Sequence, residues 1–248
     1  MTPKIEIVTE TGSTNADLLA RIEAGETVPE GAWLRAERQT GGRGRVGKVW
    51  LSPPGNLFCS TVVNLTPDDH PAPSISLVAG LAVHDLLRGQ LMSGTIRPLE
   101  QQRWLKWPND VLYDGAKMAG ILCERRGGAV VVGIGINVAV APAIDGSPTI
   151  SIHQQNGHND NDPGRVLEYL APLFGNRLER WRREPLAATI VEWEARAHER
   201  GSPISVAEGA GRLHGTFDGL ELGGALRLRL ADGTVRVIHA GDVTLEGT

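Results

Sequence analysis

The chain has 248 residues, of which 41% are hydrophobic and 22% charged, and its formal net charge at pH 7 is −4. This length and composition are typical of a globular protein of one or two domains. The mildly acidic balance argues against a nucleic-acid partner, and no apolar run reaches the ~20 residues that span a bilayer. The N-terminus does not resemble a signal peptide and the two cysteines lack metal-site spacing, so we expect a cytoplasmic protein with buried free thiols.

The first half of the chain alternates short helices with strands. Thr14 and Asp17 have the spacing of a capping pair, which predicts a helix over 15–22 that ends at Gly25. The remaining elements follow from hydrophobic periodicity. We expect strands over 31–37, 57–64, 103–107, 118–124 and 129–136, a turn at Asp114–Gly115 and a buried helix over 74–87. The strand over 129–136 is continuously apolar, which is typical of the centre of a sheet.

The second half changes character after Gly201. Residues 153–164 are polar and predict a loop, and two amphipathic helices are expected over 165–183 and 185–199. Beyond them, four short alternating strands are expected at 204–207, 212–217, 225–230 and 235–239. This pattern predicts a small all-β barrel or sandwich after a larger domain, and hence two domains, 1–200 and 201–248.

The glycine-rich loop from Gly41 to Lys48 is the most informative segment. Its letters match both a dinucleotide-binding motif and a P-loop, but Val49 stands where a P-loop needs Ser or Thr. Paired prolines soon after forbid the helix that both motifs require. The glycines with Arg43 and Arg45 nevertheless suit carboxylate and phosphate oxygens. A basic solvated turn remains the alternative for the loop on its own.

Four sequence elements follow one another along the chain. They are Ser13-Thr14-Asn15; Gln39 with the glycine-rich loop up to Trp50; Lys106-Trp107-Pro108-Asn109-Asp110 with Lys117-Met118-Ala119-Gly120-Ile121-Leu122; and Gly133-Ile134-Gly135-Ile136-Asn137. Together they resemble the biotin protein ligases, over essentially the whole chain. The resemblance implies an α+β fold, with a mixed β-sheet catalytic domain of the biotin/lipoate ligase type, flanking helices, and a small SH3-like C-terminal barrel.

The resemblance also implies a reaction. Members of the family activate biotin with ATP as biotinyl-5′-adenylate, releasing diphosphate, and then transfer biotin to a lysine of a biotin carboxyl carrier domain. Biotin and ATP are the expected substrates, with Mg²⁺, and the carrier domain of acetyl-CoA carboxylase or a related carboxylase is the expected partner. No helix-turn-helix fits before residue 10, so we expect no DNA-binding repressor role. Many members dimerise through sheet edges, which makes a homodimer compatible with the sequence.

Three residues are expected to carry the chemistry. Joining a carboxylate to an α-phosphate brings two anions together, so cations must neutralise both. By resemblance, Lys117 contacts the biotin carboxylate and the acyl phosphate, and Arg45 clamps the phosphate. Asp110 orients the acceptor lysine and helps to remove its proton. The alternatives are a solvated lysine at 117 and an ordinary turn at 110, and no metal ligand is assigned among the side chains.

The remaining site residues divide between biotin and the nucleotide. A ureido group offers two N–H donors and a carbonyl acceptor, which hydroxyl and amide side chains can bind in a dry pocket. The expected biotin-binding residues are Ser13, Thr14, Asn15, Gln39, Gly42, Arg43, Gly44, Arg45 and Lys117. The expected residues for ATP and the adenylate are Arg43, Arg45, Trp50, Asn109, Gly133, Gly135 and Asn137.

Each residue at the nucleotide end has an expected contact. The two glycines, Gly133 and Gly135, are expected to give adenine room at a strand end, where Asn137 hydrogen-bonds it. Trp50 is expected to pack over the adenylate once the loop closes, with a place in the hydrophobic core as the alternative.

Two other functions compete with this interpretation. A lipoate or octanoate transferase has a similar fold and also loads a lysine, but its members lack the arginine-containing glycine loop and the Lys106–Asp110 element in this form. A biotin-binding sensor or scaffold would not need cations such as Arg45 and Lys117 that clamp a phosphate. Detection of an acyl adenylate would separate the three.

Overall fold

The computed structural model describes residues 4–91, 103–144, 146–157, 162–208 and 211–246. The first sheet contains β1 (Lys4–Thr11), β2 (Ala32–Gln39), β3 (Leu57–Asn64), β4 (Leu105–Lys106), β5 (Asp110–Tyr113), β6 (Ala116–Arg126) and β7 (Ala129–Ile136). The second contains β8 (Pro203–Glu208), β9 (Gly211–Leu220), β10 (Leu226–Arg229), β11 (Val235–Ile238) and β12 (Val243–Leu245). The helices are α1 (Thr14–Glu23), α2 (Ile75–Leu91), α3 (Ile152–Asn156), α4 (Pro163–Arg183) and α5 (Leu186–Glu194). None of the helices in these ranges is long and apolar enough to cross a membrane.

The first sheet is mixed, with the strand order β1-β2-β3-β7-β6-β5-β4. β1 runs parallel to β2, and the other neighbouring strands pair antiparallel. β7 lies at the centre, which explains its continuously apolar sequence. The second sheet is antiparallel, in the order β11-β10-β9-β8-β12. The predicted α+β fold class is confirmed.

The two faces of β7 meet different surroundings, because alternate residues of a strand point to opposite faces. One set lies in the large core, which also contains the buried residues of α2 and α4; it comprises Val130, Val132, Ile134 and Ile136. On the other face Ala129 and Val131 pack in a smaller cluster with Leu18 of α1. That face then continues with Gly133, Gly135 and Asn137, which offer no apolar side chain. At these three residues, this face of β7 is therefore not covered by an apolar cluster.

The large core extends into the second sheet. The buried residues that it takes from there include Ile204, Val206, Phe217, Leu226 and Leu228. Two hydrogen bonds reinforce the junction: Trp107 Nε1 donates to the Gly224 carbonyl at 2.9 Å, and the Leu220 amide donates to Glu194 Oε1 at 2.7 Å. The second sheet is thus packed against the first, and the boundary after residue 200 stays a prediction.

The predicted capping pair at the start of α1 is wrong. The N-cap is Ser13, without a side-chain cap, and Thr14 is the first helical residue. Asp17 accepts a hydrogen bond from Thr11 Oγ1 at 2.6 Å, so both members of the supposed pair have other partners. The predicted end is confirmed, since Gly25 has φ +81° and its amide donates to the Ile22 carbonyl.

Several elements differ from the sequence prediction. Strands β1, β5 and β12 were not expected, and β4 is shorter than the predicted 103–107, of which 103–104 are not strand. The predicted loop 153–164 is wrong at its start, where α3 begins with a capping box formed by Ser151 and Gln154. The end of that predicted loop is also helical, because α4 begins at Pro163, and residues 158–161 lie outside the described ranges.

Candidate active site

A cavity of about 1050 Å³ opens on the face of the first sheet where β7 lacks apolar side chains. Its walls come from the start of α1, the glycine-rich loop, strands β6 and β7, parts of the segment 142–149, and β12 with the two residues before it. Every residue predicted for the site lines this cavity except Gly42. Elements far apart in the sequence therefore bring the predicted residues to one place.

One end of the cavity is a network of uncharged polar side chains. The Thr14 amide and hydroxyl donate to Gln39 Oε1 at 2.9 and 3.2 Å. The same hydroxyl lies 2.7 Å from Ser60 Oγ, which donates to Asn15 Oδ1 at 2.6 Å. These serine, threonine and asparagine side chains are buried, as is Ser13. The network holds hydroxyl and amide groups in fixed positions at a dry surface, which suits a neutral hydrogen-bonding ligand.

Asn15 is engaged by the protein on both sides of its amide. Its Nδ2 donates to the Leu122 carbonyl at 3.2 Å and to Glu124 Oε2 at 2.7 Å. The side chain lies directly over Gly133, where any Cβ would overlap it. Gly133 thus makes room for a protein side chain, which differs from its predicted place beside adenine. Asn15 therefore supports the wall of the cavity through its hydrogen bonds to β6.

The glycine-rich loop leaves the sheet as a narrow two-stranded turn. Arg43 forms an antiparallel bridge with Val49, and the Trp50 amide donates to the Gly42 carbonyl at 3.0 Å. A Cβ at Gly42 would stand 2.5 Å from the Trp50 carbonyl oxygen, so only glycine fits here. The tip is a 3₁₀ turn, Arg45–Gly47, and no α-helix follows it, as predicted.

The two loop arginines have different environments. Arg43 is exposed, whereas Arg45 is partly buried with its Cζ 6.0 Å from the centre of the Trp107 ring. Burial lowers the pKa of Arg45, opposed by the charges of Asp110 and Asp242. A guanidinium stays protonated at neutral pH even so. The loop therefore brings a partly desolvated positive charge to the cavity, where electrostatic interactions are stronger than in water.

Asp110 lies between two lysines. Lys117 Nζ is 2.6 Å from Asp110 Oδ1, and Lys106 Nζ is 3.4 Å from Oδ2. The β4–β5 hairpin places Lys106 and Asp110 opposite each other. Asn109 fixes the hairpin to β6, since its Nδ2 donates to the Ile121 carbonyl at 2.6 Å. This end of the cavity is strongly charged and carries more cations than carboxylates.

Trp50 covers the floor between the two ends. Its ring lies so close that a Cβ on Gly135 would be 2.5 Å from Trp50 Cε2, and one on Gly120 would be 2.7 Å from Cζ3. Lys117 Nζ lies 5.3 Å from the centre of the ring. Trp50 Nε1 is buried and has no hydrogen-bond partner in the described ranges. The indole is therefore a cavity wall, and it is not part of either apolar cluster.

Asn137 presents an unused acceptor at the far end of the same strand. Its Nδ2 donates to the carbonyls of Lys117 and Ile150, both at 3.2 Å. Its Oδ1 is buried and, within the part of the chain that is described, has no partner. A buried acceptor without a donor favours a ligand N–H at this position.

The site is laid out along one face of β7. Gly133, Gly135 and Asn137 alternate on that face, and each step along the strand is about 7 Å. Asn15 stands over the first and Trp50 over the second, and Lys117 is joined to the third. A ligand along this line would meet hydroxyl and amide groups at one end and lysine and arginine at the other.

Some functional candidates were not found from the sequence. Ser60 is one of the few polar residues of a mostly apolar strand, which is a usable signal. Lys106 stood in a recognised motif without an assigned role. The pair of Lys48 and Asp242, whose charged atoms are 2.6 Å apart, joins the loop to the second sheet. It gave no signal, because its members are 194 residues apart.

Comparisons with known proteins identify the family of the chain. The Biotin/lipoate A/B protein ligase family matches residues 13–140. A biotin–[acetyl-CoA-carboxylase] ligase of Paracoccus denitrificans is 37% identical over 97% of this chain and 100% of its own length. The enzyme of that name in Mycobacterium tuberculosis is 36% identical over 97% of this chain and 88% of its own. The structure of a biotin protein ligase from Aquifex aeolicus with biotin and ATP superposes with a TM-score of 0.80 at 26% identity, covering 99% of both chains.

Proposed function

The chain belongs to the Biotin/lipoate A/B protein ligase family. We propose that it is a biotin ligase, like the relatives named above. It is an ATP-dependent enzyme that activates biotin as biotinyl-5′-adenylate and transfers it to a lysine of a biotin carboxyl carrier domain. The residue roles that follow are our assignments.

The observation that carries the proposal is the polarity of the cavity. Its uncharged end, around Thr14 and Gln39, suits a ureido group, which is neutral and both donates and accepts hydrogen bonds. Its charged end, with Lys117 and Arg45, suits a carboxylate next to a phosphate. A molecule that is neutral at its head and anionic at its tail, as biotin is, fits this sequence of surfaces.

In the first step, a carboxylate oxygen of biotin attacks the α-phosphorus of ATP. The new bond joins that oxygen to phosphorus, and the bond to the β-phosphate bridging oxygen breaks, so diphosphate leaves. Lys117 and Arg45 offset the repulsion between the two anions and the charge that develops in the transition state. Asn137 Oδ1 accepts a hydrogen bond from the adenine amino group, and the Trp50 ring packs against the adenylate.

In the second step, the acceptor lysine of the carrier attacks the acyl carbon and AMP leaves. The nucleophile is the neutral amine, so the ammonium must first lose a proton. Asp110 is the carboxylate in position to hold that ammonium and to accept its proton. To do so, Asp110 must give up its ion pair with Lys117 or Lys106, because both lysines contact it in the ligand-free chain.

The remaining assignments rest on the chemistry of the substrates. Mg²⁺ enters with the phosphates of ATP, as part of the substrate, since it prefers phosphate and water oxygens. Asp110 is already neutralised by two lysines, so we place the ion on the phosphates and on no protein side chain. We place the reaction in the cytoplasm, where carboxylases and ATP meet. A homodimer would use β1, the longer of the two outermost strands of the first sheet.

The test is a comparison of acids. The protein is incubated with ATP and Mg²⁺ and with biotin, lipoate or octanoate, and the acyl adenylate is measured by mass spectrometry. We expect biotinyl-adenylate, at a rate far above that of the other two acids. A faster reaction with lipoate or octanoate would move the chain to the other branch of its family, and binding of biotin without any adenylate would make it a sensor.

A further inference from the structure

An ion pair joins the glycine-rich loop to the second sheet. Lys48 Nζ lies 2.6 Å from Asp242 Oδ2, and both residues line the mouth of the cavity. The backbone of Asp242 is held in place, since its carbonyl accepts hydrogen bonds from the Ala207 amide at 3.1 Å and from Arg212 at 3.4 Å. Asp242 is therefore a fixed point on the second sheet, and its carboxylate holds Lys48 of the loop.

Lys48 is the residue that closes the tip of the loop. Its carbonyl accepts from the Gly44 amide at 2.7 Å, and its amide donates to the Arg45 carbonyl at 3.1 Å. Whatever fixes Lys48 therefore also fixes the backbone of Arg45, the arginine that we place at the phosphate. The backbone of Lys48 is thus one hydrogen bond away from the backbone of Arg45.

The tip of the loop, around Val46, is strained and exposed. Val46, between these hydrogen bonds, has φ +53°, which is strained for a β-branched residue, and the residue is 84% exposed. Burial of Val46 thus contributes nothing to compensate for that strain. The glycines around it add the largest entropic cost of ordering. An ion pair from outside the loop is well placed to shift its equilibrium between open and closed forms.

The charges around Asp242 belong to the active site. Partial burial alone raises the pKa of Asp242, but the hydrogen bond and charge of Lys48, with Lys106 and Arg212, hold it below its usual value. Asp242 in turn opposes the lowering of the pKa of Arg45. The carboxylate therefore remains ionised at neutral pH and acts on the cations of the site.

We propose that Asp242 is a positioning residue for the ligase reaction, which holds the glycine-rich loop closed over the acyl adenylate through Lys48. The proposal rests on the function given above. The second sheet thereby governs how long the adenylate is retained before a carrier arrives. The pair is partly exposed, with 64% and 48% of the two side chains accessible, so salt weakens it.

The test measures release of preformed biotinyl-adenylate from the full chain, in Asp242→Asn, in Lys48→Gln and in the double variant. Because release requires the loop to open, we expect each single variant to release it about two- to fivefold faster, the range for an exposed pair. The double variant should be no faster than either, because both remove one interaction. The difference from the unmodified protein should shrink at high salt. The charge exchange Lys48→Asp with Asp242→Lys should recover much of the retention.

The matched control is Glu10→Gln. Glu10 pairs with Arg38 at 2.9 Å with similar exposure, 51% and 62%, and neither residue lines the cavity. Release unchanged in Asp242→Asn, or equally faster in Glu10→Gln, would overturn the proposal. So would additive effects of the two single variants.

A second readout does not depend on the reaction. In the ligand-free protein, limited proteolysis at Arg43 or Arg45 should be faster in Asp242→Asn than in the unmodified chain. If the unmodified chain made no adenylate, the proposed function would fail, and this arm alone would decide whether the ion pair holds the loop. Equal cleavage in the variant and the unmodified chain would then reject it.

Discussion

Lys117 Nζ and Asp110 Oδ1 lie 2.6 Å apart, which joins the residue assigned to adenylation to the residue assigned to transfer. The sequence suggested separate tasks for these two residues, which lie at the start of β5 and near the start of β6. In the structure each is the nearest opposite charge of the other. Binding of an anion to Lys117 competes with Asp110, so formation of the adenylate would release the carboxylate for the incoming lysine.

Lys117→Ala should reduce adenylation far more than it reduces stability. The side chain is 25% exposed, and Asp110 keeps Lys106 as a partner when Lys117 is removed, so the loss of folding stability should be modest. Loss of a charge-assisted contact weakens binding by roughly 1.5–3 kcal/mol, and the rate should fall further because the charge acts mainly in the transition state. Single-turnover kinetics would measure this, with Lys4→Ala as a control outside the cavity. Adenylation at the unmodified rate would reject the assignment.

Asp110→Asn should separate the two steps. Lys117 and Arg45 remain, so biotinyl-adenylate should still form. Transfer should slow by about 100-fold or more, because the variant cannot accept a proton. The acceptor lysine has a pKa of about 10.4, so the deficit should shrink as pH rises and the amine deprotonates unaided. Transfer from preformed adenylate isolates this step. Normal transfer with failed adenylation would place Asp110 in the first step.

Gly133→Ala should weaken biotin binding while leaving the rest of the sheet intact. The added methyl group would overlap Asn15, which supports Ser60 and, through it, Thr14. The Michaelis constant for biotin should therefore rise, with a smaller change for ATP. Gly128→Ala is the control, because a Cβ there meets no atom within 4 Å. A change in the Michaelis constant for ATP alone would place Gly133 beside adenine, as the sequence suggested.

The protein should lose stability in mild acid through His198. Burial, with the nearby charges of Lys106 and Arg103, lowers the pKa of His198 to about 4. The unfolded chain, with an ordinary histidine pKa near 6.5, binds more protons between these values, so stability is greatest above pH ~6.5 and falls towards pH 4.

Urea unfolding at pH 7 and pH 5 would measure that loss. The slope due to His198 is at most about 1.4 kcal/mol per pH unit. His198→Gln should reduce the loss between the two pH values, and substitution of the exposed His239 should not. The same loss in His198→Gln as in the unmodified chain would contradict this.

The sequence predicted elements well where one local rule decides them. Strand 57–64 is rich in β-branched residues and strand 129–136 is a continuous apolar run, and the observed bounds of both are the predicted ones. The Asp114–Gly115 turn has positive φ at both residues, which this dipeptide favours. β1 was missed because its pairing with β2 is decided by distant residues, and its own residues are mostly exposed.

The site was predictable as a set of residues but not as a set of contacts. Motifs identified the walls of the cavity, since each motif keeps its residues together in the sequence. They could not show that Asn15 fills the space over Gly133, that Thr14 binds Gln39 and not its own helix, or that Asp242 reaches Lys48. Those contacts depend on how distant segments pack, which no local pattern encodes.

The most direct test of the account is the intact mass of a biotin carboxyl carrier domain incubated with this protein, biotin, ATP and Mg²⁺. We predict the addition of one biotinyl group, dependent on ATP and absent when the acceptor lysine of the carrier is replaced by arginine. Preformed biotinyl-adenylate should replace biotin and ATP together. An unmodified carrier, in a sample where a known biotin ligase modifies the same domain, would contradict the account.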